Sequence, residues 1–389
     1  MFKFADKMAY FDINIFAKLD ERRAQLEAMG RDVINLSIGT PDLPPDEAVL
    51  HVLSEASQDP RNLKYSLGDT FELLSAVIGW YRRRYGVHLE EQEITSVYGS
   101  QEGLAHIAFP LCNPGDIAIV PTPSYPIFAF GPLLAGAEIY ETPLLEENDY
   151  LVDFESIPAE TARRAKMIII SYPNNPVTAT APPAFYEKLV DWAKTYNVAV
   201  VHDNAYSEIV FDGNPGGSFL AVPGAMDVGV EFNSLSKAYN LTGMRIAFAM
   251  GNADIIHQFM RIRSQIDYGI SFPVQIAAAA ALNGPQDVLA RNLAEYERRR
   301  DALCGGLRSI GWDVKDSPAT MFVWTRIPPG FKNSMDFVLA LLDQTGVACV
   351  PGSSFGKAGE GYVRLALVQP VDVLQEAVQR IAASGILEP

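Results

Sequence analysis

Short apolar runs alternate along the chain with segments in which apolar residues recur every three or four positions. The runs predict strands, and several are apolar at every position, as expected of strands covered on both faces. The predicted strands span residues 93–98, 117–120, 138–141, 167–171, 198–202, 228–232 and 246–250. Helical periodicity lies between some of them, as at residues 183–196. This alternation predicts an α/β fold with a mostly parallel sheet.

Different patterns flank this alternating region. The N-terminal side shows a helical pattern at residues 11–28, a strand-like run at 32–38 and a proline-rich loop before helices at 46–56 and 71–85. Beyond Gly251, three long helical segments lead into short strands and helices. The predicted elements there are 254–267, 273–282, 286–310, 321–326, 334–342, 347–350, 362–367 and 371–383. We therefore expect an α+β unit after the large domain.

Three regions follow from these patterns. Residues 1–45 are predicted to form an N-terminal arm and the start of a small domain. Residues 46–285 are predicted to form the large domain, and residues 286–389 the small C-terminal α+β domain. A chain of 389 residues with 48% hydrophobic residues is long enough to bury a core in each domain.

Charge and cysteine content narrow the classes of function. The formal net charge is −16, which argues against nucleic acid or an anionic membrane as a partner. Three cysteines, at positions 112, 304 and 349, offer neither a disulfide framework nor a metal-ligand spacing, so each is expected to be buried. The chain shows no signal peptide and no long uncharged apolar run, so we expect a cytoplasmic protein without a membrane partner.

Candidate chemistry is concentrated in the segment from Asn233 to Arg245. It carries Ser234, Ser236, Lys237 and Arg245 between two predicted strands. Hydroxyls and a guanidinium suit a phosphate, and a lysine amine can form an imine. Taken alone, the segment is equally consistent with a polar loop whose lysine lies in solvent.

Polar side chains also follow other predicted strands, where ligands of open α/β sheets bind. Ser100 is the expected N-cap of a helix that reaches Leu111, with Gln101 in its first turn, and the N-terminus of a helix favours a phosphate. Asn175 follows the strand at 167–171, and Asp203 and Tyr206 follow the next. Each alone is explained by a turn, a helix cap or packing. Together they favour a single binding site.

With these residues the chain resembles the class I/II aminotransferases, the aspartate-aminotransferase-like, fold-type I enzymes that use pyridoxal 5'-phosphate. The similarity lies in Ser234-Leu-Ser-Lys237 and Thr242-Gly-Met-Arg245, preceded by Asn175-Pro176 and Asp203-Asn-Ala-Tyr206. It extends over nearly the whole chain, and the Tyr98–Gly103, Cys112–Asp116 and Phe232–Lys237 segments are most similar to the LL-diaminopimelate aminotransferase branch. The resemblance implies a large domain with a mostly parallel, seven-stranded sheet between helices, and a smaller α+β domain.

The resemblance also implies a catalytic set. Lys237 would hold the cofactor as an aldimine and shuttle a proton, and Asp203 would pair with the ring nitrogen. Asn175 and Tyr206 would bind the ring 3-oxygen, and Tyr125 would stack on the ring. The implied reaction is ping-pong transamination between an L-amino acid and a 2-oxo acid, with 2-oxoglutarate as the expected acceptor and LL-diaminopimelate or an aspartate-like amino acid as the donor.

The remaining implied roles concern binding. The implied phosphate ligands are Ser100, Gln101, Ser234, Ser236 and Arg245. Tyr65 is implied to reach the phosphate in a second copy of the chain, which makes the enzyme a homodimer with shared sites. Arg364 is implied to bind the substrate α-carboxylate, with Asn175 and the backbone of Gly39. No metal is expected.

Two motifs depart from the family pattern, and two other functions remain open. The family usually reads Thr-Gly after Asn175-Pro176, where this chain reads Val177-Thr178, and Pro318-Ala-Thr-Met-Phe322 replaces a version that contains glycine. Asp203, Lys237 and Arg364 would serve a pyridoxal-phosphate-dependent β-lyase equally well. A non-catalytic module that binds the cofactor is the other alternative.

Overall fold

The structure is a computed structural model that describes residues 2–11 and 14–388, and a central sheet organises it. The strands are β1 (Ile34–Asn35), β2 (Ile94–Val97), β3 (Ile117–Thr122), β4 (Glu138–Pro143), β5 (Ala165–Ser171), β6 (Ala199–Asp203), β7 (Gly229–Ser234), β8 (Ala247–Gly251), β9 (Phe322–Arg326), β10 (Val347–Ala348), β11 (Val350–Pro351) and β12 (Tyr362–Ala366). The central sheet has seven strands in the order β2-β8-β7-β6-β5-β3-β4. Only β8 runs antiparallel to its neighbours. The predicted α/β class with a mostly parallel seven-stranded sheet is confirmed.

Helices cover both faces of this sheet. The α-helices of the described residues, only some of which lie against this sheet, are α1 (Asn14–Ala28), α2 (Glu47–Gln58), α3 (Phe71–Tyr85), α4 (Ser100–His106), α5 (Ala108–Leu111), α6 (Ile127–Ala135), α7 (Ala159–Arg164), α8 (Pro183–Tyr196), α9 (Ala225–Val228), α10 (Leu235–Ala238), α11 (Ala253–Arg263), α12 (Phe272–Asn283), α13 (Asp287–Ser309), α14 (Ser334–Thr345) and α15 (Val371–Ser384). Ile168 and Ile170 of β5 pack with α3, α8 and α12, whereas Met167 and Ile169 pack with α4, α6 and α11. Burial on both faces explains why these strands are apolar throughout.

A smaller set of strands lies beside the central sheet. β11, β12 and β9 form an antiparallel sheet in that order, and β1 pairs in parallel with β10. The β1–β10 pair joins the N-terminal region to the C-terminal one. A separate apolar core contains residues of both, such as Leu36, Leu303 and Leu374. The boundaries at residues 45 and 285 stay a prediction.

Several element boundaries differ from the sequence prediction. All seven predicted strands of the large sheet are present, with ends displaced by at most two residues. The strand-like run at 32–38 pairs only at Ile34–Asn35, and the helix predicted from Ser100 to Leu111 is two helices that meet at Ile107. Gly99, not Ser100, precedes the first helical residue of α4. The helix predicted from residue 11 begins at Asn14, and residues 12 and 13 lie outside the described residues.

The cysteine and membrane expectations can be compared directly with the fold. All three cysteines are buried with free thiols, as predicted. Among the described residues, no helix is both long and apolar enough to cross a membrane.

Candidate active site

A cavity of about 630 Å³ opens at the carboxyl ends of β5, β6 and β7. Every predicted site residue except Tyr65 lines it. Those residues are Gly39, Ser100, Gln101, Tyr125, Asn175, Asp203, Tyr206, Ser234, Ser236, Lys237, Arg245 and Arg364. Parallel strands bring their carboxyl ends to one edge of a sheet, so side chains far apart in sequence meet there.

Lys237 lies in α10, one short turn after the end of β7. Its Nζ donates a hydrogen bond of 2.5 Å to the carbonyl oxygen of Gly39. Burial, together with the positive charges of Arg364 and Arg245, lowers the pKa of Lys237 to about 8, against the opposing effect of Asp203. A lowered pKa makes the neutral, nucleophilic amine accessible near neutral pH.

Asp203 is the last residue of β6 and is only 7% exposed. Burial raises its pKa to about 6, although His202, the backbone N–H of Ala205 and Lys237 all favour the ionised form. Among the described residues, its Oδ1 has no hydrogen-bond partner. A buried carboxylate oxygen without a donor fits a protonated ring nitrogen supplied by a bound molecule.

A cradle for a phosphate lies where β2 turns into α4. Gly99 has φ +83°, and a Cβ at this position would overlap Nη2 of Arg245. Arg245 donates to the carbonyl oxygens of Thr242 at 3.1 Å and Tyr98 at 3.2 Å, and no carboxylate of the described chain pairs with it. The hydroxyl of Ser100 is buried, with no partner within residues 2–11 and 14–388. These groups fit a phosphate dianion.

Ser234 and Ser236 complete this side of the cavity. The hydroxyl of Ser234 accepts a hydrogen bond of 3.1 Å from the backbone N–H of Ser236 and so caps α10. Both serines are nearly buried, at 4% and 7% exposure. The cap holds both hydroxyls at the edge of the cavity beside Lys237.

Arg364 lies on β12 at the opposite side of the cavity. Nη1 donates to Oδ1 of Asn175 at 2.8 Å, and Nη2 donates to the carbonyl oxygen of Ser37 at 3.2 Å. The guanidinium carbon lies 4.1 Å from the ring centre of Phe322 and 4.8 Å from that of Phe355. Burial lowers its pKa to about 10, so it remains a cation at neutral pH. Burying a guanidinium without an acidic partner is costly, so this position favours a carboxylate from a ligand.

The neutral polar residues are oriented by one another. The hydroxyl of Tyr125 donates to Oε1 of Gln101 at 2.8 Å. The Oδ1 of Asn175 is occupied by Arg364, which leaves its Nδ2 as a donor toward the cavity. Tyr206 is 6% exposed, and burial raises the pKa of its phenol, so it stays protonated and able to donate. Two donors of this kind suit the 3-oxygen of a pyridoxal ring.

Other lining residues were missed by the sequence analysis. They are Ser37, Thr40, Leu104, Pro126, Ile127, Phe130, Ala205, Thr242, Phe322 and Phe355. Most are apolar, and an apolar residue that lines a cavity has the same local pattern as one in the core. Tyr65 lies elsewhere: it is 74% exposed, and its ring centre is 4.9 Å from that of Tyr268.

Comparisons with known proteins agree with this geometry. Residues 31–381 match the family described as aminotransferase class I and II. The chain is 44% identical over 379 residues to the LL-diaminopimelate aminotransferase of Syntrophobacter fumaroxidans, covering 97% of each chain. It is 42% identical over 384 residues to the enzyme of that name from Halothermothrix orenii, covering 98% of each. The solved structure of BacF from Bacillus subtilis is 35% identical, with a TM-score of 0.94 and coverage of 98% of each chain.

The chain therefore belongs to the class I and II aminotransferase family. It is a pyridoxal-phosphate-dependent aminotransferase, and the predicted family, reaction class and cofactor are confirmed. The residues present fit this cofactor. Among the described residues, Oδ1 of Asp203 has no partner and would suit the ring nitrogen, the hydroxyl of Ser100 has none and would suit the phosphate, and Gly99 leaves room for the guanidinium of Arg245.

Proposed function

We propose that this enzyme transfers the amino group of LL-diaminopimelate to a 2-oxo acid, with 2-oxoglutarate as the acceptor. The observation that carries the reaction is the meeting of Lys237, Asp203 and Arg364 in one cavity. The choice of donor is supported by the names of relatives that are 42–44% identical over nearly the full chain. The relatives support transamination over β-elimination or a non-catalytic role.

The substrate is held by its α-carboxylate. Arg364 offers a planar pair of N–H groups that suits a carboxylate, and the rings of Phe322 and Phe355 pack against its guanidinium. The backbone of Gly39 lies next to this guanidinium, since a Cβ at Gly39 would contact both Phe322 and Arg364. Bound in this way, the substrate presents its amino group and Cα to Lys237.

Lys237 and Asp203 divide the chemistry between them. When bound, pyridoxal phosphate supplies a cationic ring that accepts the electron pair left at Cα as the proton departs. Asp203 would hold a proton at the ring nitrogen, and Lys237 would take the Cα proton of the substrate and hold it for return. Hydrolysis by water would release the first keto acid, and a second keto acid would then take up the amino group with release of water, so we expect ping-pong kinetics.

The other predicted residues hold the cofactor at its two ends. Asn175 and Tyr206 donate to the ring 3-oxygen, and Tyr125 stacks on the ring while Gln101 fixes its hydroxyl. The phosphate is bound by Ser100, the backbone N–H of Gln101, Ser234, Ser236 and Arg245. Arg245 is free for this role because its contacts in the described chain are backbone carbonyls only.

An exposed apolar patch supports a homodimer with shared sites. Leu63, Tyr65, Leu67, Phe71 and Tyr268 are each more than 60% exposed. The patch is ordered, because the backbone N–H of Leu67 donates to the carbonyl oxygen of Tyr268 at 2.9 Å. Exposed apolar patches of this kind mark protein interfaces. A second copy would cover the patch and bring Tyr65 to the phosphate of its partner.

The proposed location is the cytoplasm.

A second candidate substrate class is favoured by the apolar lining. Beyond the four charged residues of the cavity, the substrate side chain meets Leu104, Ile127, Phe130, Phe322 and Phe355. Such a surface suits a large apolar or aromatic amino acid. The distal charged group of diaminopimelate would then be bound by residues of the second subunit.

A half-reaction assay tests the proposal. The purified holoenzyme is mixed with LL-diaminopimelate, meso-diaminopimelate, phenylalanine or aspartate, and the visible absorbance of the bound cofactor is followed before 2-oxoglutarate is added. We expect LL-diaminopimelate to remove that absorbance fastest and 2-oxoglutarate to restore it with formation of glutamate. Faster reaction with phenylalanine would favour the aromatic class. Release of ammonia without an acceptor would overturn transamination.

A further inference from the structure

A buried histidine–carboxylate pair lies directly behind the candidate active site. His202 on β6 and Glu231 on β7 are opposite one another in the sheet register, and both are 0% exposed. Nδ1 of His202 lies 2.9 Å from Oε2 of Glu231. Neither residue lines the cavity. Successive strand residues point to opposite faces, so His202 projects away from the face that carries Asp203.

The carboxylate of Glu231 is fully hydrogen-bonded. The hydroxyls of Tyr81 and Ser218 each donate to Oε1 at 2.8 Å, and the backbone N–H of Phe219 donates to Oε2 at 2.8 Å. Burial alone would raise its pKa, but the hydrogen bonds from His202, Tyr81 and Ser218 and the charge of His202 outweigh burial and lower it. Glu231 is therefore anionic, and its carboxylate requires a proton on Nδ1 of His202.

The pair connects the ends of three strands that supply the site. The other ring nitrogen of His202 lies 3.3 Å from the backbone nitrogen of Tyr172 and 3.2 Å from its carbonyl oxygen. Tyr172 begins the loop that contains Asn175, His202 immediately precedes Asp203, and β7 leads to Ser234 and Lys237. A change at this pair is therefore transmitted to three parts of the cofactor site.

We propose that His202 and Glu231 are positioning residues that hold Asp203 at the ring-nitrogen end of the cofactor site without touching the cofactor. This inference rests on the proposed role of Asp203 as the partner of the ring nitrogen. The hydrogen bond to Glu231 fixes the imidazole of His202, and the backbone of His202 leads directly into Asp203 at the end of β6. His202 also lowers the pKa of Asp203. Asp203 needs such support because it is buried and its Oδ1 has no partner among the described residues.

The other titratable groups around the pair are few in the described part of the chain. Tyr186 of α8 packs on His202 with ring centres 5.6 Å apart, Tyr172 follows β5, and Tyr81 of α3 contacts Glu231. Burial raises the pKa of each of these phenols, so all three are neutral near pH 7. Glu231 is consequently the carboxylate that holds the imidazole of His202.

The test compares two cofactors in binding to the apoenzyme. One is pyridoxal phosphate, and the other is its analogue in which a C–H group replaces the ring nitrogen. Dissociation constants are measured by quenching of tryptophan fluorescence for the wild type, Glu231→Gln, His202→Gln and Asp203→Asn. A residue that acts through Asp203 affects only the cofactor that has a ring nitrogen, whereas a residue that supports the fold affects both.

We expect Glu231→Gln and His202→Gln to weaken pyridoxal phosphate binding by about tenfold, because Asp203 would no longer be held in place, and to change analogue binding little. Glu208→Gln is the matched control. Glu208 is also buried, but Arg84 and Tyr85 hold its carboxylate. The Glu208→Gln substitution should leave the ratio of the two dissociation constants unchanged. If Glu231→Gln does not fold, Tyr81→Phe, which removes one hydrogen bond to Glu231, should shift the ratio in the same direction by a smaller factor.

Equal weakening of both cofactors, or no weakening, in folded variants would overturn this inference. A separate result would overturn the role of Asp203 itself. If the wild type and Asp203→Asn show the same preference between the two cofactors, the ring nitrogen is not its partner. The two results therefore separate the role of the His202–Glu231 pair from the role of Asp203.

Discussion

Nη1 of Arg364 donates a hydrogen bond of 2.8 Å to Oδ1 of Asn175, and this contact links the substrate side of the cavity to the cofactor side. It fixes the carboxamide so that Nδ2 remains available to the cofactor. It also gives the buried guanidinium a neutral partner, so its charge remains available to a substrate carboxylate. One hydrogen bond thereby prepares two recognition groups that are 189 positions apart in the chain.

Replacement of Arg364 by lysine should impair substrate binding. A lysine supplies one point charge instead of two parallel N–H groups, so we expect kcat/KM to fall by about 100-fold, or roughly 3 kcal/mol, for every amino-acid substrate. Steady-state kinetics with donor and acceptor measure this. Arg298→Lys is the control, since Arg298 pairs only with Glu295 on the surface. An unchanged kcat/KM in R364K would remove Arg364 from the site.

Gly99→Ala should weaken cofactor binding. The new methyl group would occupy the space of the Arg245 guanidinium, and the residue would also keep an unfavourable φ of +83°. Gly86→Ala is a control for the positive φ, because Gly86 has φ +68° and ψ 14° with open space around a Cβ. Gly86→Ala carries a backbone cost of about 1 kcal/mol, and Gly99→Ala carries a larger one because its ψ of 154° lies outside the left-handed region. Only G99A should raise the dissociation constant for pyridoxal phosphate by about tenfold or more. Equal affinities in the two variants would contradict the phosphate cradle.

Lys237 should destabilise the apoenzyme at neutral pH. Its pKa is lowered from 10.5 to about 8 on folding, so the unfolded chain holds more protons between those two values. The cost of burying the charged amine is fully present below pH 8 and absent above about pH 10.5. The free energy of unfolding therefore rises with pH between those two values. We expect apo Lys237→Met to exceed the wild type in unfolding free energy by about 2 kcal/mol at pH 7, and by much less near pH 10.

Urea unfolding of the two apoproteins at both pH values measures this difference. Lys194→Met serves as the control, because Lys194 is an exposed lysine paired with Asp227 on the surface. Its effect should not depend on pH in this window. A wild type that is more stable than K237M at pH 7 would contradict the buried, destabilised amine.

The loop after Asn175 is expected to contain backbone strain. Thr178 has φ +63° and is 4% exposed, and it stands where the family pattern has glycine. A β-branched residue in the left-handed region costs roughly 1–2 kcal/mol. The free energy of unfolding of Thr178→Gly should therefore exceed that of Thr180→Gly by roughly 1–2 kcal/mol, because Thr180 is exposed and has an ordinary negative φ. Chemical denaturation of both variants measures the difference, and equal effects would show that the loop is unstrained.

Shared active sites predict complementation between two inactive variants. Lys237→Ala removes the catalytic amine from its own subunit, and Tyr65→Ala removes the phenol that reaches the other subunit. After the two proteins are mixed and allowed to exchange subunits, half of the dimers contain one native site, so about one quarter of wild-type activity should return. Mixing K237A with Asp203→Ala should restore none, because both of those changes lie within one subunit's own site. A mixture of K237A and Y65A that stays inactive would contradict the shared site.

The large sheet was predictable because its strands are covered on both faces and are therefore apolar throughout. Helix α6 was missed for a related reason. It reads Ile-Phe-Ala-Phe-Gly-Pro-Leu-Leu-Ala, with an internal Pro132 and no polar face, because it packs between α4 and the cavity. Gly131 fits against the backbone of α4, where a Cβ would overlap the carbonyl oxygen of Leu104. Such packing follows from tertiary contacts and leaves no helical period in the sequence.

The polar half of the site was predictable, whereas the apolar half was not. Asp203, Lys237 and Arg245 follow predicted strands, and this combination of charged residues is not expected of ordinary polar loops. Phe355 is different, because its role depends on the approach of Arg364 from another strand. The orientation of Asn175 is likewise set by a partner distant in sequence. The position of Tyr65 relative to a phosphate depends on a second chain and stays a prediction.

The most direct test of the account is to locate the covalent bond between the chain and its cofactor. Reduction of the holoenzyme with borohydride, followed by proteolysis and mass spectrometry, identifies the lysine that carries the phosphopyridoxyl group. The account predicts modification of Lys237 alone, with none in Lys237→Ala treated in the same way. Modification of another lysine, such as Lys166 or Lys194, with Lys237 unmodified would contradict the assigned active site.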